Sequence, residues 1–177
     1  MAKFNWPRWN RKIHYWGAIL CAVPVLVVIV SGILLLLKKQ SAWIQPPTSQ
    51  GTAGAPLVEF DAVYQAVAAV PQAGVNSWND IERLDVRPDK GVIKVVTKNR
   101  WEIQVDHRTG AVLQTAYRRS DLIETIHDGS FFHEKAKLWV FLPSALVLLV
   151  LWVTGIYLFA KPLLVRRARR AALRNSP

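Results

Sequence analysis

Two membrane-spanning helices flanking one small extracytoplasmic α+β domain with an antiparallel sheet form the fold class this sequence predicts. Three observations carry that reading. Two runs, Gly17 to Leu37 and Leu138 to Ala160, hold no charged residue. At about 1.5 Å per helical residue, each is long enough to cross a hydrocarbon core of about 30 Å. All 12 acidic residues lie between Glu59 and Glu134, whereas 13 of the 23 Lys and Arg lie outside residues 40–135. The acidic stretch also changes from helical to strand-like periodicity, the mark of a small folded domain.

The same distribution explains the formal charge of +11. The basic excess is a pair of flanks rather than a groove, so it argues for a lipid surface and against nucleic acid. Lys3, Arg8, Arg11 and Lys12 precede the first run, and Lys161, Arg166, Arg167, Arg169, Arg170 and Arg174 follow the second. Lys38, Lys39 and Lys137 at the opposite ends are fewer. Both termini are therefore expected in the cytoplasm. The first run is longer than a signal-peptide core, and no small-x-small cleavage site follows Leu37, so it is read as a retained anchor. The single cysteine, Cys21, falls inside it, which excludes an internal disulfide and a cysteine-based metal site.

Taken in order, residues 1–12 form a cytoplasmic basic and aromatic segment. Phe4, Trp6 and Trp9 suit the headgroup layer there, and Pro7 is expected to break any long helix. Residues 13–37 are the first transmembrane helix, with Pro24 a candidate kink and Ser31-Gly32 a small-residue notch. Residues 38–56 read as a linker out of the membrane, extended at Pro46-Pro47 and flexible in the Gly/Ser/Thr run beyond. Residues 57–120 read as the folded domain. Asp61 is a candidate N-cap for a helix ended by Pro71, and strands are expected at Ile81–Val86, Val92–Thr97, Trp101–Val105 and Val112–Tyr117. Residues 121–137 read as a juxtamembrane helix, 138–160 as the second transmembrane helix, and 161–177 as a basic tail anchored at the inner leaflet.

The run Asp106-His-Arg-Thr109-Gly110-Ala-Val112-Leu113, following one helix and three strands, resembles a PepSY domain. It stands between two distinctive spans. The first opens Arg11-Lys-Ile-His14-Tyr-Trp-Gly17 and ends Ser31-Gly32-Ile-Leu; the second opens Ile126-His127-Asp-Gly129 and ends Thr154-Gly155-Ile-Tyr-Leu. Over residues 8–160 the chain resembles the PepSY-associated transmembrane family. The resemblance implies a periplasmic domain carried on inner-membrane helices. Larger relatives, with four or more spans, look like haem-containing reductases of ferric-siderophore uptake. With two spans, this chain is expected to complete such a site only as a homo-oligomer or with a partner in a membrane complex.

Histidines supply the candidate site, because a neutral imidazole is an iron ligand. With both termini inside, His14 sits at the inner face, and His127 and His133 at the outer one, about 30 Å away. They cannot share an iron within one protomer. On a continuous helix His127 and His133 diverge by about 120°, so they pair only if Gly129 breaks it. The two spans run oppositely, which brings Gly155 toward the level of His14 and Gly32 toward that of His133 and His127. Each face then pairs histidine with a glycine where a porphyrin edge could approach. The site expected is haem b, with His14, His127, His133, Gly32 and Gly155 as its residues. Asp128, Glu124 and Glu134 are candidate acceptors orienting the outer imidazoles.

His107, in the Asp106–Gly110 turn, reads as exposed and solvated. The chain carries no nucleophile with its base, no phosphate loop and no dinucleotide fingerprint, and thus no complete catalytic site of its own. The functional expectation is transmembrane electron transfer toward periplasmic iron or another acceptor. The alternatives are a non-catalytic accessory subunit of a membrane complex, or a modulator of periplasmic peptidases.

Overall fold

The computed structural model describes residues 6–174, with side chains from 8 to 167. Lys3 and Phe4, and the side chains of Trp6, Arg169, Arg170 and Arg174, lie outside the described residues. Two units are distinct, a helical one of residues up to 30 and from 126 onward, and a domain of residues 31–125.

In the helical unit, α1 spans Trp6–Leu36 and α4 spans Leu142–Arg174, the latter preceded by a π-helical turn at Lys137–Phe141. Both are long and apolar enough to cross a membrane. Side chains such as Leu20, Val23, Trp139 and Phe159 are exposed around them, which suits lipid and not water. Pro7 does not break the helix, because it falls in the first turn of α1, where its missing N–H costs no hydrogen bond. The segment of residues 1–12, expected to be interrupted at Pro7, is thus part of α1 from Trp6 onward.

Three contacts fix the register of the two helices. The Gly155 Cα faces His14, with 3.8 Å from a Cβ position there to His14 Cε1; Gly17 faces Leu151; and the Cys21 thiol lies 3.6 Å from the Ser144 carbonyl. As numbering rises in α1 it falls in α4, so the pair is antiparallel. Cys21 and Leu151 are buried in this seam.

In the domain, β1 (Ile81–Arg87), β2 (Val92–Thr97), β3 (Trp101–Asp106) and β4 (Val112–Tyr117) form an antiparallel meander in sequence order. Short turns between successive strands favour that order. Helix α2 (Phe60–Ala68) covers one face. Val63 and Val67, four apart on α2, meet Ile93, Val95, Ile103 and Val105, which alternate along β2 and β3. The N-cap of α2 is Glu59, not Asp61. Asp61 lies in the first turn, where its charge favours the helix through the dipole.

The opposite sheet face is buried as well, and here the expected flexibility of the Gly/Ser/Thr run beyond Pro47 is corrected. Gln104 donates to the Pro47 carbonyl at 2.8 Å and accepts from Ser49 N at 2.7 Å, while Gly51 N donates to the Lys90 carbonyl at 2.8 Å. The segment is a strap tied across the sheet. Glycine permits the tie, since a methyl at Gly51 would overlap the Gly91 carbonyl. The far end of the domain leads through α3 (Arg119–Asp128), which joins the strap where Ser120 N donates to the Ile44 carbonyl.

Candidate functional site

His14 projects from the N-terminal part of α1, one turn above Asn10 and one turn below Ala18. Its ring is half-buried, and its Nδ1 is fully buried with no hydrogen-bond partner among the described residues. The Nδ2 of Asn10, itself 2 % exposed, is in the same condition. Two buried, unsatisfied nitrogens on one helix face are costly unless something completes them. Asn10 was not legible as a site residue, because a single amide among basic and aromatic residues reads as interfacial.

Beside His14 lies a hollow of about 450 Å³ lined by Arg11, Tyr15, Ala18, Ile19, Ala22 and Leu158. Ala18 and Ala22 continue the four-residue spacing of His14, so the helix presents a flat strip above the imidazole. Across the strip Gly155 offers no side chain. The pairing of His14 with Gly155 expected from the sequence is present.

The outer histidines are not on one helix. Helix α3 ends at Asp128 and Gly129 adopts φ +84°, a left-handed conformation suited to glycine, so the continuous helix expected over 121–137 is broken. His127 stays half-buried on α3, whereas His133 is exposed in the following turn. The Lys135 N–H donates to His133 Nδ1 at 3.0 Å, which in the neutral ring places the proton on Nε2. His133 borders a shallow apolar hollow of about 530 Å³ with Ala136, Trp139 and Val140.

Asp128 is engaged by the turn that follows α3. It accepts from Lys137 Nζ at 2.7 Å and from the hydroxyl and N–H of Ser130. The Lys137 hydrogen bond, with those of Ser130, brings its pKa down to about 2. Glu124 and Glu134 are exposed. Gly32 lies near the C-terminal end of α1. Among the described residues no group of three or more His, Cys, Asp and Glu is arranged to hold a metal ion.

His107 is the sharpest correction. It is fully buried, and its Nε2–H donates to the Thr52 carbonyl at 2.8 Å. The strap covers it, and nothing in the local turn pattern announces a strap 55 residues earlier. Next to it Asp106 serves as a hub. One carboxylate oxygen accepts from Arg108 N and Thr109 N, the other from Thr52 N and its hydroxyl, at 2.7–2.9 Å. Burial alone would raise the Asp106 pKa, but these four donors outweigh it and hold the group well below the usual carboxylate range. The Asp-x-x-Thr-Gly run is thus a structural clasp between turn and strap.

A family model described as the PepSY-associated TM region matches residues 11–176. No curated protein and no solved structure matches the chain.

Proposed function

Because the chain belongs to the PepSY-associated transmembrane family, we propose that it is an inner-membrane protein that holds haem b between associated copies and passes electrons toward periplasmic iron or another acceptor. The observation that carries the reading is the unpartnered, buried Nδ1 of His14 beside a flat apolar strip. A planar, largely apolar ligand with one metal-directed contact and carboxylates at its edge suits that combination. Bound haem supplies one-electron chemistry that the side chains alone lack.

The chain's own residues would do the rest. His14 would supply an imidazole nitrogen to the iron, Ala18 and Ala22 the apolar surface beside it, and Arg11 a cation for a carboxylate of the ligand at the headgroup level. One protomer provides one imidazole at this face, so a second copy or a membrane partner would bring another and close the lipid-exposed side. At the outer face His133 is the candidate ligand and His127 its alternative. Orientation rests on the basic flanks, which favour cytoplasmic termini and a periplasmic domain.

The test is a reduced-minus-oxidised visible spectrum of the full chain purified after expression with ample haem. Cytochrome-b bands are expected, with the inner component absent in His14→Ala and membrane insertion unchanged. A flat wild-type spectrum, or bands indifferent to His14 and His133, sinks the reading and leaves a non-catalytic accessory subunit in its place.

A further inference from the structure

A cavity of about 470 Å³ lies on the strap side of the sheet domain and shares no residue with the His14 hollow. Its wall is cationic. Most of that charge is internally matched: Lys94 and Arg118 both hold Glu102, at 3.2 and 2.6 Å, and Arg118 also holds Asp121 at 2.7 Å. Arg83 pairs with Glu82 and Asp121, and Arg87 with Asp85. Lys38 and Lys39 line the same cavity, and among the described residues neither forms an ion pair. The set therefore carries an excess of positive charge beside a buried ion-pair network.

Lys38, Lys39 and the exposed edges of the Arg83 and Arg87 forks together suit a tetrahedral oxyanion.

We propose that this cavity binds a phosphate-bearing anion, and that its source is the headgroup of an anionic lipid. The lipid assignment follows from chain connectivity. Lys38 and Lys39 come directly after α1, which ends at Leu36, so they stand where the hydrocarbon core gives way to phosphates. Lysine there adds attraction to anionic lipid beyond what the orientation of the spans requires. The domain would thereby be pinned to the leaflet from which its strap emerges.

The experiment uses the full chain in neutral detergent and reads bound lipid by native mass spectrometry, with phosphatidylglycerol and phosphatidylcholine added in turn. The tightest site should prefer phosphatidylglycerol, and Lys38→Ala with Lys39→Ala should weaken it about thirtyfold, taking two lost lysine contacts. Both lysines lie at the surface of the domain, and the charge-preserving pair Lys38→Arg with Lys39→Arg should retain binding. Arg166→Ala with Arg167→Ala removes tail contacts and should leave the tightest site in place.

Inorganic phosphate is the competing probe. If it occupies the lysine-dependent site and phosphatidylglycerol is not preferred to phosphatidylcholine, the anion site stands and the lipid source is overturned. If neither probe's binding responds to the lysines, the proposal is overturned altogether. Because the readout is bound lipid and not visible absorption, this outcome is independent of the haem reading.

Discussion

Asp106 carries more of the domain than its place in a turn suggests. Its four donors come from both the turn and the strap, so Asp106→Ala would strand Thr52 N, Arg108 N, Thr109 N and a hydroxyl at a buried place. A loss of about 3 kcal/mol is expected from leaving such groups unsatisfied, read as a fall in the thermal midpoint of the full chain in detergent. The pH dependence has a fixed sign. The folded carboxyl is more acidic than the unfolded one, so its contribution is present above about pH 4 and is lost as pH falls below that. Asp106→Asn should be less stable at neutral pH and less sensitive to acid; an unchanged acid profile would remove Asp106 as the clasp. Its neighbour shows why the sequence was legible only in part. The strand after Asp106 and the turn itself follow local rules, whereas the burial of His107 depends on the Thr52 carbonyl, supplied from far along the chain. Similarly, His14 could be singled out by type and position, but the unsatisfied state of Asn10 exists only once α1 is packed.

At the scale of elements, the length of two uncharged runs found the apolar helices, and periodicity found α2 and all four strands, whose repeating apolar positions their own residues display. It missed what opposes a local preference. The strap is polar, Gly-rich and without regular structure, so only its partners on the sheet order it. The break between α3 and α4 depends on Gly129, where an added methyl would collide with the Phe141 ring and the backbone has positive φ. Gly129→Ala is therefore expected to destabilise this junction by about 1 kcal/mol or more and to displace the π-helical turn at Lys137–Phe141. Faster amide exchange across residues 129–141, with the sheet domain unaffected, is the signature to seek. The Asp128–Lys137 bridge spans the same junction. With a folded pKa of about 2, Asp128 stabilises it above about pH 4, and protection there should decline as pH falls from 4 toward 2. Exchange that stays slow through that range would show that the junction does not depend on the bridge.

For the molecule as a whole, the antiparallel seam turns scattered charge into one directional signal. The N-terminal part of α1 lies beside the C-terminal part of α4, as His14 opposite Gly155 records. Arg8, Arg11 and Lys12 therefore lie at the same end of the helix pair as Lys161, Arg166 and Arg167, and Lys3, Arg169, Arg170 and Arg174 flank them in the sequence. Ten basic residues favour that face, against Lys38, Lys39 and Lys137 at the other. At about 1 kcal/mol for each cation near an anionic leaflet, the difference is large enough to select one topology. Chemical labelling can test it cleanly, because the only native cysteine, Cys21, is 2 % exposed and should stay unreactive. Asp89→Cys places a thiol on the exposed turn between β1 and β2, and Ser176→Cys places one in the basic tail. In bacterial cells with a permeabilised outer membrane, a membrane-impermeant maleimide should label the first and not the second. Disruption of the inner membrane should then expose Ser176→Cys. The reverse pattern would put the sheet domain in the cytoplasm, where an electron path toward a periplasmic acceptor could not end at His133. It would also move the Lys38–Lys39 cavity to the inner leaflet, so the labelling result decides which lipids that cavity can meet.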